Sequence, residues 1–111
     1  MKIEVEYQDD IAVLKLDGEL DIATVDFFID KILEVKKEYE NIIFDFSKVE
    51  FVDSTGVGSI IKLLQDNNEL NYAITNLQPD VKEIFQILNL KEILGEEIFI
   101  SSNQKAIDFL I

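Results

Sequence analysis

An α/β fold, in which an N-terminal β-hairpin feeds a mixed, largely parallel sheet of about five strands with about four helices, is predicted by two observations. The opening residues alternate between apolar and charged side chains, as a half-exposed strand does. Further along, short β-rich runs take turns with segments whose apolar residues recur every three or four positions. After the hairpin the order is therefore helix, strand, helix, strand, helix, strand, helix, and right-handed crossovers between successive strands make their pairing parallel.

Ile3, Val5 and Tyr7 alternate with charges, Asp9 and Asp10 supply a turn, and Ile11, Val13 and Leu14 to Leu16 resume the extended pattern until Asp17 and Gly18 close it. Ile22, Val25, Phe28 or Ile29, Ile32 and Val35 then recur at helical spacing, with Asp26, Asp30 and Glu34 on other faces, which predicts a first helix from Ile22 to Tyr39. Asn41 to Phe46 reads as a central strand, because Ile42, Ile43 and Phe44 are apolar without alternation, as in a strand covered on both faces. Val57, Ile60, Ile61 and Leu64 mark a second helix that fades in Gln65-Asp66-Asn67-Asn68. Leu70 to Thr75 is the next strand, and Asn76 to Asp80 a loop holding the only proline. Val81, Ile84, Phe85 and Leu88 define a third helix, and Glu97 to Ile100 a last short strand. Asn103 to Leu110 closes the chain as a helix capped by Ser101, Ser102 or Asn103. The phenylalanines at 27, 28, 44, 46, 51, 85, 99 and 109 fall mostly on faces expected to be buried, which fits core packing better than a ligand cage.

The 111 residues, 48% hydrophobic, suffice for one domain over 1–111 with an ordinary core. Lys+Arg of 10 against Asp+Glu of 23 gives a net charge of -13, and every basic residue is Lys. Nucleic acid is thus excluded as a direct partner, because a phosphate backbone needs a basic footprint. A bidentate guanidinium contact at an interface has to come from the other protein. The absence of cysteine and histidine removes thiol nucleophiles, imidazole bases and the usual zinc ligands and leaves chemistry to carboxylates, hydroxyls and Lys. A carboxylate cluster could bind Mg²⁺ or serve as an acid/base pair, but the expectation is a protein without metal or other cofactor. Met1 to Glu6 carries charges where a signal peptide would be apolar, and no run of about 18 apolar residues exists to span a bilayer. A cytoplasmic protein without a membrane partner is expected.

The segment from Phe44 to Gly58 carries the most information. It runs an apolar strand into a loop and then places Ser54 and Thr55 where a helix begins, with Ser54 expected at the N-cap. Serine is a common cap, and that ordinary role is open to it. A helix start is also where a phosphate is best tolerated, since free amides and the positive end of the helix dipole point at it. Val57 is not Glu or Gln, so no capping box commits the hydroxyl to structure. Gly56 and Gly58, each weakening a helix by about 1 kcal/mol relative to Ala, either leave the first turn open to another surface or serve close packing on a strand. Asp21, Asp45 and Asp53 are expected near strand-to-helix junctions, where open α/β sheets place their sites, although Asp is also a good turn former. No pair of these carboxylates is flanked by a convincing base or nucleophile, and Gly56-Val57-Gly58 lacks the third glycine of a nucleotide fingerprint, so catalysis is not expected.

Phe44-Asp45-Phe46-Ser47 followed by Phe51-Val52-Asp53-Ser54-Thr55-Gly56-Val57-Gly58 closely resembles the core motif of STAS domains, the family of sulfate transporters and anti-sigma factor antagonists. Gly18 to Thr24 resembles the segment ahead of the family's first helix, and Ile87 to Leu90 with Ile98 to Ile100 its C-terminal part. Two turns depart from the pattern: Asn67-Asn68 stands where a Gly pair is common, and Leu88-Asn89-Leu90 where Thr-Gly-Leu is usual. The resemblance implies a STAS-like fold and a freestanding bacterial anti-sigma factor antagonist. It implies that Ser54 is phosphorylated by the anti-sigma factor, a Ser/Thr kinase, that a PP2C-type phosphatase reverses this, and that the unphosphorylated form binds the anti-sigma factor and frees the sigma factor. Partners would dock on Asp21, Ile22, Ala23 and Thr24 and on Asp53, Ser54, Thr55, Gly56, Val57 and Gly58. A non-switching scaffold subunit, of a stressosome or of a lipid-transport complex, is the alternative within the same family.

Overall fold

The computed structural model describes residues 1–111. Strands β1 (Lys2–Gln8) and β2 (Ile11–Leu20) form the antiparallel hairpin, with Gln8 opposite Ile11 across the Asp9-Asp10 turn. Helix α1 (Val25–Val35) leads to β3 (Asn41–Val52), α2 (Ser54–Asp66) to β4 (Asn71–Thr75), and α3 (Pro79–Ile87) with α4 (Leu90–Leu94) and a 3-10 turn at Glu96–Ile98 to β5 (Phe99–Ile100). Helix α5 (Asn103–Leu110) follows. The sheet order is β1-β2-β3-β4-β5, antiparallel in the hairpin and parallel in every other pair, the mixed STAS-like sheet expected.

Helices lie on both faces, unequally. On one side α1, α2, α3 and α4 bury a cluster of 22 residues that includes Phe28, Phe44, Phe46, Val57, Phe85 and Leu90. On the other, α5 alone covers Ile11, Val13, Ile43 and Ala73 with Ala106 and Ile107. Double coverage is why Ile11 to Leu14 and Ile42 to Phe44 are apolar without alternation. Each large side chain buried there contributes about 1.5–3 kcal/mol relative to exposure.

Several boundaries differ from expectation, for identifiable reasons. Helix α1 starts at Val25 and ends at Val35, because residues 22 to 24 form a hydrogen-bonded turn. Ile22 is 75% exposed, not on the buried face. Strand β3 continues past Phe46 to Val52 because β2, ten residues long, pairs with it throughout, through two irregularities near Lys15 to Asp17 and Gly18 to Glu19. Asp53, not Ser54, is the N-cap of α2. Asn89, in the left-handed region at φ 57°, separates α3 from the additional helix α4, giving five helices. Glu97 belongs to the 3-10 turn, so β5 is only Phe99–Ile100. Phe27, Phe51 and Phe109 are exposed, while Phe28, Phe44, Phe46 and Phe85 are in the core. At the C-terminal end Ser102 caps α5, its hydroxyl accepting the Lys105 amide at 3.2 Å.

Candidate functional site

The register of β2 against β3 pairs Leu20 with Val52, the last residues of two adjacent parallel strands. The segments that follow, Asp21 to Thr24 and Asp53 to Gly58, therefore emerge side by side at one edge of the sheet. They are tied directly, since the Asp53 amide donates to the Leu20 carbonyl at 3.2 Å.

Each segment is built by its own hydrogen bonds. In the first, the Asp21 carboxylate accepts the Ala23 amide at 2.9 Å, and the Asp21 amide donates to Thr24 Oγ1 at 3.0 Å. Thr24 Oγ1 donates back to the Glu19 carbonyl at 2.8 Å, which commits it to the turn and leaves α1 without a side-chain cap. The turn presents Ile22 and Ala23 outward.

In the second segment, Asp53 Oδ1 accepts the Gly56 amide at 2.8 Å, and the Asp53 carbonyl accepts the Val57 amide at 3.0 Å. With the cap supplied by Asp53, Ser54 occupies the first helical position, exposed and free of any capping bond. The amides of Ser54 and Thr55 are the first-turn donors that Asp53 leaves open. Thr55 and Gly58 are likewise exposed. Gly56 and Val57 are not: Val57 is 2% exposed in the core, and Gly56 sits against Leu20. They seat the helix on β2.

Asp45 does not join Asp21 and Asp53. It lies inside β3 on the face covered by α5, buried, and its carboxylate accepts from Asn103 Nδ2 at 2.9 Å, Asn76 Nδ2 at 3.1 Å and the Ser47 amide at 2.9 Å. Asn103 Oδ1 in turn accepts the Thr75 hydroxyl at 2.6 Å. Burial alone would raise the Asp45 pKa, but these donors together hold it below the ordinary carboxylate range. The network pins β3, β4 and α5 to one another. Sequence reasoning missed Asn76 and Asn103; the positive φ of Asn76, 58°, leaves only a weak trace in sequence as an Asn directly after a strand.

No three acidic side chains converge as a metal site would require, and no helix is long and apolar enough to cross a membrane. What the edge offers is an exposed hydroxyl at a helix start, a carboxylate next to it, and a rigid neighbouring turn.

Comparison with known proteins gives a consistent result. The family model described as the STAS domain matches residues 2–105. The chain is 27% identical over 97 residues to the anti-sigma-B factor antagonist of Staphylococcus epidermidis, covering 85% of this chain and 90% of that one. It is 28% identical over 101 residues to the anti-sigma F factor antagonist of Paenibacillus polymyxa, covering 85% and 84%. Among solved structures, that of the anti-sigma factor antagonist SpoIIAA in its unphosphorylated form superposes with a TM-score of 0.76 at 26% identity, over 96% of this chain and 94% of that one. A crystal structure from Thermotoga maritima gives a TM-score of 0.85 at 21% identity over 97% and 93%, a likeness of fold.

Proposed function

The chain belongs to the STAS domain family, and from that membership we propose that it is an anti-sigma factor antagonist whose partner binding is gated by phosphorylation of Ser54. Unphosphorylated, it binds an anti-sigma factor that is itself a Ser/Thr kinase, and so frees a sigma factor. Phosphorylation by that kinase ends the association, and a PP2C-type phosphatase restores it. The observation that carries this reading is the exposed Ser54 hydroxyl at the first position of α2, released from structural duty because Asp53 holds the cap. The names of the relatives support the role.

The protein acts as acceptor and docking surface. Ser54 Oγ attacks the γ-phosphorus of the kinase's ATP, ADP leaves, and the hydroxyl proton passes to a base of the kinase, since this chain has no histidine to take it. The phosphate, about -1.5 to -2 charges, meets two open amides and the positive end of the α2 dipole, so the fold accommodates it. At the interface the same dianion is costly: it adds bulk, repels acidic groups and must be desolvated. A loss of roughly 2.8 kcal/mol weakens binding about a hundredfold, enough to release a partner without refolding.

Incubation with the cognate anti-sigma kinase, ATP and Mg²⁺ should add one phosphate, located by mass spectrometry at Ser54. A phosphate on Thr55 would move the acceptor by one residue. None at all with a demonstrably active kinase would turn the assignment toward the non-switching scaffold subunit, which would co-purify in a large homogeneous assembly.

A further inference from the structure

The helices after β2, β3 and β4 all pack on one face of the sheet, whereas α5, after β5, packs on the other. The connections leaving β4 and β5 therefore diverge to opposite sides. Such a divergence between neighbouring parallel strands opens a crevice at their carboxyl ends, the place where open α/β sheets hold small ligands. A crevice of about 260 Å³ is there, lined among others by Asn76, Leu77, Lys82, Lys91, Phe99 and Ser101.

Its chemistry runs against that of the whole protein. The chain carries 23 acidic residues and 10 lysines, yet the lining contains two lysines and no carboxylate. Neither Lys82 nor Lys91 takes part in the ion pairs of the molecule, which use Lys15, Lys31 and Lys36. Ser101 Oγ accepts from Lys105 Nζ at 3.4 Å, which leaves the hydroxyl proton free to donate. Charges farther off than about 8 Å are largely screened at physiological ionic strength, so the lysines of the lining are the nearest charges an occupant would meet. Leu77 and Phe99 supply an apolar wall beside them. A second lysine-bearing hollow, near Lys2, Lys15 and Lys48, differs in containing Glu4, Asp17 and Asp45, which neutralise it.

We propose that this crevice is a binding site for a small organic dianion, a phosphate monoester or a dicarboxylate, whose charged end is held by Lys82, Lys91 and the Ser101 hydroxyl and whose apolar body rests on Phe99 and Leu77. The volume falls below the range of about 300–1,000 Å³ usual for drug-sized ligands, which sets the occupant's size. The site is separate from Ser54: β3 continues from Asp45, level with the end of β4, to Val52 before α2 begins, roughly 20 Å at about 3.3 Å per residue.

The test is an amide NMR titration of the full chain with phenyl phosphate, succinate, inorganic phosphate and phenol. The expected result is saturable shifts at Asn76, Leu77, Lys91 and Phe99 to Ser101 with phenyl phosphate or succinate, at a Kd below about 1 mM. Which of the two binds tells phosphate from carboxylate. The K82Q/K91Q double variant should keep its spectrum elsewhere and bind at least about tenfold more weakly, and Ser54→Ala should bind as the parent does, which separates this site from the phosphorylation reading. Absence of saturable shifts with both dianions, shifts indifferent to the double variant, or inorganic phosphate matching phenyl phosphate would each overturn the proposal.

Discussion

The carbonyl oxygen of Leu20 stands where a side chain at position 56 would have to go: a Cβ built on Gly56 would lie 2.4 Å from it. The end of β2 and the first turn of α2 thus meet backbone to backbone, and only glycine permits the approach. Nothing lies within 4 Å of the equivalent point on Gly58. Gly56→Ala should therefore destabilise the protein by about 1–3 kcal/mol in urea unfolding, through displaced backbone. Gly58→Ala should stabilise it by about 0.5–1 kcal/mol, by the ordinary helix preference for Ala, and should weaken binding of the anti-sigma partner because the open space above Gly58 is filled. Higher stability with unchanged affinity would remove Gly58 from the docking face.

Asp53 holds the cap that sequence reasoning gave to Ser54, which leaves the Ser54 hydroxyl open to the proposed phosphorylation. Asp53→Ala should cost about 0.5–2 kcal/mol, the worth of a lost cap, while Asp53→Asn keeps the cap and costs little. Ser54→Ala removes no capping bond and should change stability by less than about 0.5 kcal/mol. It should bind the partner yet resist inactivation by kinase and ATP. A large stability loss in Ser54→Ala would return the serine to a structural role.

A phosphate on Ser54 is expected to act locally. Amide NMR spectra of phosphorylated and unmodified protein should superpose outside residues 53 to 60 and the adjoining turn at 21 to 24. Shifts extending into α3 and β5 would mean a conformational switch instead of repulsion at the interface.

Asp45 links folding to pH. Its folded pKa is lowered, so its ionised form contributes stability that is fully present above the unfolded value of about 4 and is lost as pH falls through the folded pKa. Asp45→Asn sets one amide donor against Asn103 Nδ2 and leaves it unsatisfied, at a cost of about 1–3 kcal/mol at neutral pH. Urea melts of both proteins from pH 7 downward should show the gap narrowing below about pH 4. A gap constant over that range would mean that the carboxylate's charge contributes nothing.

Charge should also govern association. A chain of net charge -13 without arginine meets its partner best on a basic face, and the association rate should fall as salt rises. Asp21→Asn, at the turn beside Ser54, should weaken binding more than Asp30→Asn, exposed on α1. Equal affinities of the two variants would place the docking surface elsewhere.

Much of this arrangement is legible in the sequence because it is local. Alternation in Ile3, Val5 and Tyr7 marks the hairpin, the spacing of Val57, Ile60 and Leu64 marks α2, and a hydroxyl pair at a strand-to-helix junction marks the edge of interest, all within a few residues of chain. The capping assignment slipped by one residue because Asp53 and Ser54 are both good caps, and local preference does not rank them. Ile22 shares the helical spacing of Val25 and Phe28, and only the hydrogen bonds of the Asp21 to Thr24 turn exclude it from the helix.

By itself the sequence determined the α/β class, the order of the strands along the chain and the position of Ser54 at the start of a helix, since these rest on periodicity and propensity over short windows. Tertiary structure alone decided how far β3 runs, which carboxylates are exposed and where the lysines gather. Ser47 and Lys48 interrupt the apolar run of β3, and only pairing with β2 carries the strand on to Val52 and so brings Asp21 beside Asp53. Asp45 stays inside β3, where it is bound by Asn103, 58 residues away. Buried polar groups take whichever donors the fold brings to them, and strand length is settled by a partner strand's backbone; both depend on contacts between distant residues, which no local pattern encodes.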